Sequence, residues 1–176
     1  MKKLQLEELG RISVSEFKAI EKLPVTIVLD NIRSLHNVGS AFRTADAFRF
    51  EKIFLTGITG VPPHREIHKT ALGATESVPW EYAEQVGDAV KRLKDSGYTI
   101  VVIEQTTESV ALNTFTADPA RKYALVFGNE VNGVSDEAIA LADMALEIPQ
   151  GGTKHSLNIS VCVGIVGWQI FAQFSL

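Results

Sequence analysis

The chain has 176 residues, of which 45% are hydrophobic, and a formal net charge of −4 at pH 7. This length fits one domain with a sizeable core. The acidic total excludes attraction of nucleic acid by the whole surface, so an RNA or DNA partner would need a local basic patch. The single cysteine excludes an internal disulfide, and the N-terminus lacks the apolar core of a signal peptide, so we expect a reducing, cytoplasmic location.

The first residues predict a polar arm. Residues 3–22 have the pattern of one or two polar helices, with Ser13 or Ser15 as the cap before Glu16. We therefore divide the chain into a helical arm, residues 1–24, and a single main domain, residues 25–176.

From residue 25 onward, strand and helix patterns alternate. Short apolar or β-branched runs predict strands at 25–29, 52–56, 98–103, 123–127 and 144–148, with a weaker extended piece at 78–82. Helical patterns lie at 38–48, 65–72, 86–96, from about Ser135, and at 157–171. This alternation predicts an α/β fold with a mostly parallel sheet and helices on both faces.

The last predicted helix is apolar almost all round. We expect it to begin at Leu157, with Ser156 as its N-cap. Its unbroken apolar run, residues 161–172, is shorter than the roughly 20 residues that a bilayer requires, so we expect no membrane partner. Such a helix must be covered on several sides by protein, and a second copy of the chain is the expected cover for part of it.

Three segments that follow predicted strands have unusual composition. Ligands bind beyond the carboxyl ends of strands in open parallel sheets, so these segments are where chemistry is expected. They are 30–44, with Asn37, Gly39 and Arg43; 127–135, with Gly128, Asn129, Glu130 and Gly133; and 148–160, with Ile148, Pro149, Ser156, Leu157 and Asn158.

In this order, and each after a strand, the three motifs resemble those of the SpoU-type (TrmH-like) ribose 2′-O-methyltransferases of the SPOUT superfamily. The resemblance covers about residues 25–172, and one departure is Gln150, where many members carry Met. It implies a C-terminal trefoil knot, S-adenosylmethionine held by the knotted loops, and an active site at a homodimer interface. The knot rests on the resemblance alone, because chains do not ordinarily thread loops.

The resemblance, together with the residue types, gives three sets of candidate site residues. The catalytic candidates are Arg43, Asn37, Glu130, Ser156 and Asn158. The cofactor-binding candidates are Phe127, Gly128, Asn129, Ile148, Gln150, Gly151, Ser156 and Leu157. The RNA-binding candidates are Arg33, His36, Arg43, Arg65, Lys69 and Lys154.

The residue types fit methyl transfer to a ribose hydroxyl, which requires contact between methyl and oxygen and a path for the proton. Glycines let main chain approach a ligand, and Phe127, Ile148 and Leu157 offer apolar walls to an adenine. The guanidinium group of Arg43 can bind a phosphate through two hydrogen bonds. A guanidinium with a pKa of about 12.5 or more is almost never neutral, so we expect Arg43 to act as a phosphate clamp, that is, to bind a phosphate, rather than as a general base.

Each of these residues also has an ordinary structural explanation. Arg43 could be a helix-surface arginine, Ser156 a cap, and Glu130 a charge that complements a helix N-terminus. As a functional group, Glu130 could instead orient Arg43 or Asn37, or accept the proton through water.

Two other functions are compatible with the same fold. A non-catalytic RNA-binding or assembly module could keep the fold, and a methyltransferase of the same fold could act on a base. No metal is expected, because His64 and His68 have no evident third ligand and adjoin Arg65 and Lys69. A phosphate loop is excluded because Val134 occupies the position of the required lysine.

Overall fold

The N-terminal arm packs on the main domain through one buried aromatic residue. The computed structural model describes residues 1–10 and 12–175; the predicted arm therefore includes one residue, Arg11, outside the described part, and Leu176 of the predicted main domain lies outside it too. The arm contains a 3-10 helix, Leu6–Leu9, and α1, Val14–Ala19. Ser13 caps α1, since its Oγ accepts the Glu16 N–H, and Phe17 is buried in the core. The boundary at residue 24 stays a prediction.

Seven strands in the described residues form one sheet, and every strand pair in it is parallel. They are β1 (Leu23–Asp30), β2 (Phe50–Thr56), β3 (Trp80–Ala83), β4 (Tyr98–Ile103), β5 (Val110–Ala111), β6 (Lys122–Phe127) and β7 (Met144–Glu147). Their order across the sheet is β3-β2-β1-β6-β4-β7-β5. The predicted parallel α/β fold is confirmed, and β5 escaped prediction because two residues carry no periodicity.

Helices cover both faces of this sheet, as predicted. They are α2 (Leu35–Ala47), α3 (Arg65–Ala71), α4 (Ala74–Ser77), α5 (Val86–Asp95), α6 (Asp136–Leu141) and α7 (Ile159–Ser175). One core holds Ile27 and Leu29 of β1 with residues of α2, α3 and α7. The other holds Val28 with residues of α5 and α6. The short α4 and a 3-10 helix, Leu112–Thr114, were not predicted.

The start of α7 corrects the sequence analysis. The helix begins at Ile159 rather than Leu157, and Asn158 rather than Ser156 is its cap. The Asn158 Oδ1 accepts the Ser160 N–H at 2.9 Å, and its carbonyl accepts the N–H groups of Val161 and Cys162. Asn and Ser are equally good N-caps, so local sequence could not choose between them. Within the described residues, no helix has the length and apolar character needed to cross a bilayer.

The strand order brings the three motif segments to one edge of the sheet. Along the chain, β2 and β3 are added on one side of β1, and the remaining four strands lie on its other side in the spatial order β6, β4, β7 and β5. The direction of winding therefore changes beside β1, which is where open parallel sheets bind ligands. The segments after β1, β6 and β7 all start at this carboxyl edge. The trefoil knot stays a prediction.

Candidate active site

A cavity of about 660 Å³ opens at the carboxyl edge of β4, β6 and β7. Pockets for small organic ligands have volumes of about 300–1,000 Å³, so this one is large enough for a cofactor. Seven of the predicted cofactor-binding residues line it: Phe127, Gly128, Asn129, Ile148, Gln150, Ser156 and Leu157. The eighth, Gly151, is exposed and lies outside the lining.

The turn after β6 is tightly closed. Asn129 and Gly133 exchange two main-chain hydrogen bonds of 2.9 Å, and the Asn129 Oδ1 accepts the Val131 N–H at 2.9 Å. A Cβ at Gly128 would collide with the main chain of Gly133 and Val134. Gly133 itself has a φ of +70°, in the left-handed region that favours glycine. The motif glycines here are therefore required by the turn itself.

Glu130 fastens this turn to the start of α2. Its carboxylate accepts the N–H groups of Arg33 at 2.9 Å and Ser34 at 3.1 Å, and the Asn37 Nδ2–H at 3.0 Å. Burial by itself raises the pKa of Glu130, but these hydrogen bonds outweigh it, so the pKa lies below its usual range. Glu130 is thus an ionised anchor that complements the N-terminus of α2 and orients Asn37 rather than Arg43.

Asn37 connects the first motif to the third. It is buried, and its Oδ1 accepts a hydrogen bond from the Asn158 Nδ2 at 3.3 Å. Glu130, Asn37 and Asn158 therefore form a continuous hydrogen-bonded chain at the rim of the pocket. Gly39, two residues on, has a packing explanation: a Cβ there would collide with Thr70 and with the main chain of α3.

Arg43 stands apart from this chain of contacts. Its side chain is exposed, does not line the pocket, and makes no hydrogen bond or ion pair with another described residue. It follows Asn37 by six residues, which on a helix is about 9 Å along the axis and a different face. The structure does not bring Arg43 to the pocket of its own chain.

The predicted RNA-binding residues are gathered only in part. Five of them lie on or beside α2 and α3, which pack against each other, and Lys154 lies in the exposed loop before α7. Sequence reasoning missed Glu66 within this group. Its carboxylate pairs with Lys69 at 2.7 Å and His36 at 2.8 Å. Hydrogen bonds from Lys69 and then His36 lower the pKa of Glu66, so part of the basic charge is neutralised locally.

Sequence reasoning also missed several pocket residues. They include Glu104, Gln105, Asp136, Glu147, His155 and Cys162. The position of Glu104 and Gln105 directly after β4 was the available signal, because the carboxyl-end rule applies to every strand of the sheet. Burial raises the pKa of the Cys162 thiol, which therefore stays protonated and is a poor nucleophile.

The charge of the lining restricts the ligand. Four carboxylates line the pocket, those of Glu104, Glu130, Asp136 and Glu147, and no Lys or Arg does so among the described residues. This lining favours a ligand with cationic character and disfavours a di- or triphosphate.

The fold and pocket define a class: parallel α/β proteins that hold a small organic ligand between loops at the carboxyl edge of the sheet. Within this class, the chain belongs to the SpoU rRNA Methylase family, whose model matches residues 24–168. It is 32% identical over 143 residues to the 23S rRNA (guanosine-2′-O-)-methyltransferase RlmB of Neisseria meningitidis, covering 81% of this chain and 56% of that protein. It thus spans just over half the length of that relative.

Other relatives match over more of their own length. The tRNA (guanosine(18)-2′-O)-methyltransferase of Aquifex aeolicus is 34% identical over 153 residues, covering 84% of this chain and 68% of that protein. The crystal structure of the A. aeolicus TrmH/SpoU tRNA modifying enzyme matches with a TM-score of 0.79 and 26% identity, covering 91% of this chain and 81% of that one. That of the AdoMet-bound rRNA methyltransferase from Sinorhizobium meliloti matches with a TM-score of 0.80 and 26% identity, covering 91% and 60%.

Proposed function

We propose that this chain transfers a methyl group from S-adenosylmethionine to a ribose 2′-hydroxyl of tRNA or rRNA. The observation that carries the proposal is the hydrogen-bonded chain of Glu130, Asn37 and Asn158, which joins all three motif segments at the rim of one pocket. The relatives support the proposal, because their names describe methyltransferases that act on guanosine in tRNA or 23S rRNA. Guanosine is therefore the first nucleoside to test, and the cytoplasm is the proposed location.

The pocket suits S-adenosylmethionine, which supplies a methyl group made electrophilic by a sulfonium cation. Phe127, Ile148 and Leu157 give apolar walls for an adenine. The carboxylates of the lining complement the positive charge of the sulfonium and the ammonium group. A phosphate-bearing cofactor would find no Lys or Arg side chain among the described residues of the lining.

The side chains at the rim would act chiefly by positioning the hydroxyl. Asn158 is held by Asn37 on one side and by Ser160 on the other. Ser156 lies on the pocket wall, and its hydroxyl makes no hydrogen bond to another described residue. We therefore assign Ser156 and Asn158 to the reacting hydroxyl. Glu130, already accepting three hydrogen bonds, keeps Asn37 in place.

A homodimer would complete the site. Val161, Ile165 and Trp168 repeat at helical spacing along α7 and are exposed. Phe48, at the end of α2, extends this apolar surface by stacking on Phe171 with ring centroids 5.2 Å apart. Because α7 begins at the pocket, a second copy covering this surface would lie beside it and could supply its own Arg43 as the phosphate clamp.

The basic side chains of α2, α3 and the loop before α7 would hold the RNA backbone. Arg33, His36, Arg43, Arg65, Lys69 and Lys154 are the proposed patch, and two copies in a dimer would concentrate it despite the acidic total. Phosphate contacts of this kind fix the RNA in place without reading its sequence.

The test is transfer of tritiated methyl groups from S-adenosylmethionine to bulk tRNA and rRNA, followed by nuclease digestion and mass spectrometry. The proposal expects 2′-O-methylated nucleosides as the product. If the label were found on a base, the proposed ribose methylation would be wrong and the activity would be base methylation. Binding of RNA without any transfer would favour a non-catalytic RNA-binding module.

The dimer has its own test. Arg43→Ala should reduce transfer by at least about a hundredfold while S-adenosylmethionine binding stays near wild type. Arg121→Ala, at the amino end of β6, is the matched control. Mixing Arg43→Ala with Glu130→Ala subunits should restore about a quarter of the activity, because half of the dimers regain one complete site. If Arg43→Ala transferred methyl groups at the wild-type rate, Arg43 would have no role in the site. If the mixed subunits regained no activity, Arg43 would act in the site of its own subunit rather than in that of its partner.

A further inference from the structure

Glu104 and Gln105 form a link between the two loops that line the pocket. They follow β4, whose last residue, Ile103, pairs with Phe127 of β6 on one side and Leu146 of β7 on the other. The turn after β6 and the loop after β7 therefore rise on either side of Glu104. A ligand that spans the two loops therefore crosses the end of β4, where Glu104 is one of the lining residues.

Hydrogen bonds orient the Glu104 side chain within the pocket. One carboxylate oxygen accepts the Val134 N–H at 2.9 Å, and the other accepts the Gln105 N–H at 2.8 Å. A Cβ at Gly133 would collide with this carboxylate, so the turn is packed closely onto it. Each oxygen retains acceptor capacity, since a carboxylate has about four lone-pair sites. Glu104 thus presents two neighbouring acceptors to the pocket from the end of the strand that lies between the two loops.

Two neighbouring acceptors match two neighbouring hydroxyl donors. In S-adenosylmethionine the ribose stands between the adenine and the sulfonium, so it is the group that crosses the middle of a pocket spanned end to end. Its 2′- and 3′-hydroxyls are vicinal donors, and carboxylates at the ends of sheet strands bind ribose hydroxyls in other cofactor sites. Ile148 and Leu157, two of the apolar walls proposed for the adenine, lie in the segment after β7, so the adenine end is placed on that side.

We infer that Glu104 binds the vicinal ribose hydroxyls of the cofactor and selects an adenosyl group with an intact ribose. The inference rests on the proposed use of S-adenosylmethionine by this pocket. Gln105 has a supporting position, because its Nε2 donates to the His155 carbonyl at 2.8 Å and ties the β7 loop to the same strand end.

The test is a cycle of protein and ligand changes, measured by calorimetry of the full chain. S-adenosylhomocysteine and its 2′-deoxy and 3′-deoxy forms are titrated into wild type and Glu104→Gln. In wild type, loss of a hydroxyl should weaken binding about tenfold or more, since hydrogen bonds to a charged group are strong. In Glu104→Gln the parent ligand should bind about tenfold more weakly, and removing a hydroxyl should then change affinity by less than about twofold.

The cycle separates a ligand contact from a structural role. If Glu104 only braced the Val134 turn, the variant would weaken all three ligands equally, and the inference would be wrong. If Glu104 held the ammonium group, the variant would instead lose its discrimination against 5′-methylthioadenosine, which also overturns the inference. Glu108→Gln is the matched control, because Glu108 is exposed four residues away and outside the pocket lining.

Failure of the inference can be told from failure of the proposed function. If the wild-type chain bound none of these adenosyl ligands, the proposed use of S-adenosylmethionine would be wrong, and so would the role of Glu104. A wild-type chain that binds the parent ligand, with equal deoxy penalties in both proteins, would leave the cofactor in place and remove Glu104 alone.

Discussion

The turn after β6 and the loop after β7 face each other across the pocket but are built differently. The turn, residues 128–134, is attached through Asn129 to the Asn31 carbonyl, through Glu130 to α2 and through Val134 to Glu104. In the loop, residues 149–154 make no hydrogen bond to another described residue. The loop is attached only after these residues. The His155 carbonyl accepts a hydrogen bond from the Gln105 Nε2, and the Asn158 Nδ2 donates one to the Asn37 Oδ1.

This difference indicates that one wall of the pocket is preorganised and the other is held only at its end. A segment with few hydrogen bonds and exposed side chains opens at low free energy. We expect ligand binding to order the β7 loop against a turn that changes little. Substitutions in the turn should therefore destabilise the fold, whereas substitutions in the loop should act mainly on binding.

The largest expected effect is that of Gly128→Ala. The added Cβ would strike the main chain of Gly133 and Val134, which cannot move aside as a side chain can. We expect a loss of about 3 kcal/mol or more in the free energy of unfolding, measured by urea denaturation. Gly151→Ala is the matched control in the loop: its Cβ meets nothing within 4 Å, and the change should stay within about 0.5 kcal/mol. If the two variants lost equal amounts of unfolding free energy, the turn and the loop would not differ in preorganisation.

Glu130→Gln should show how firmly the turn is attached to α2. At about pH 7 the variant should be less stable by about 1–2 kcal/mol, since the carboxylate accepts three hydrogen bonds but is partly exposed. The folded pKa of Glu130 is lowered, so its stabilisation is present above the unfolded value of about 4.3 and is lost as the pH falls through the folded pKa.

The corresponding measurement is the difference in unfolding free energy between wild type and Glu130→Gln across this acidic range. The two proteins should converge as the pH falls below about 4. Other carboxylates titrate equally in both and cancel in the difference. A gap that stayed constant with pH would show that the charge of Glu130 is not what holds the turn.

A smaller effect is expected at the end of the β7 loop. Asn158→Ala removes the cap of α7 and the link to Asn37, and should lower the unfolding free energy by about 1 kcal/mol. Ser156→Ala should change it by less than about 0.5 kcal/mol and affect transfer instead. The pair is measured by thermal unfolding and by methyl transfer. A stability loss confined to Ser156→Ala would mean that the cap is misassigned.

Among the substitutions that remove an attachment of either wall, the smallest effect on global stability is expected from Gln105→Ala. It removes one hydrogen bond to the His155 carbonyl, worth about 0.5–1 kcal/mol. Cleavage by trypsin after Lys154, in the exposed loop, should be about two- to fivefold faster. Gln85→Ala, far along the sheet edge, is the control. Unchanged cleavage would show that the loop is held by something other than this bond.

Most of the fold was predictable because its strands are buried on both faces and separated by amphipathic helices. The continuous apolar run Tyr98–Ile103 and the amphipathic pattern of Val86–Asp95 each give a strong local signal. Short elements such as β5 and α4 were missed for lack of it. The start of α7 was misplaced because two good capping residues lie two positions apart and local sequence does not distinguish them. Asn158 also contacts Asn37, 121 residues away, and no local pattern shows such a contact.

The sequence by itself determined the alternation of strands and helices, the three motif segments after strands, and the residue types available there, because these depend on local pattern and on a resemblance carried by short motifs. Only the tertiary structure decided that Glu130 serves Asn37 rather than Arg43, that Glu104 and Gln105 join the pocket, and that Arg43 does not line it. The reason is that strand order is set by packing of the whole sheet, and strand order decides which side chains share an edge.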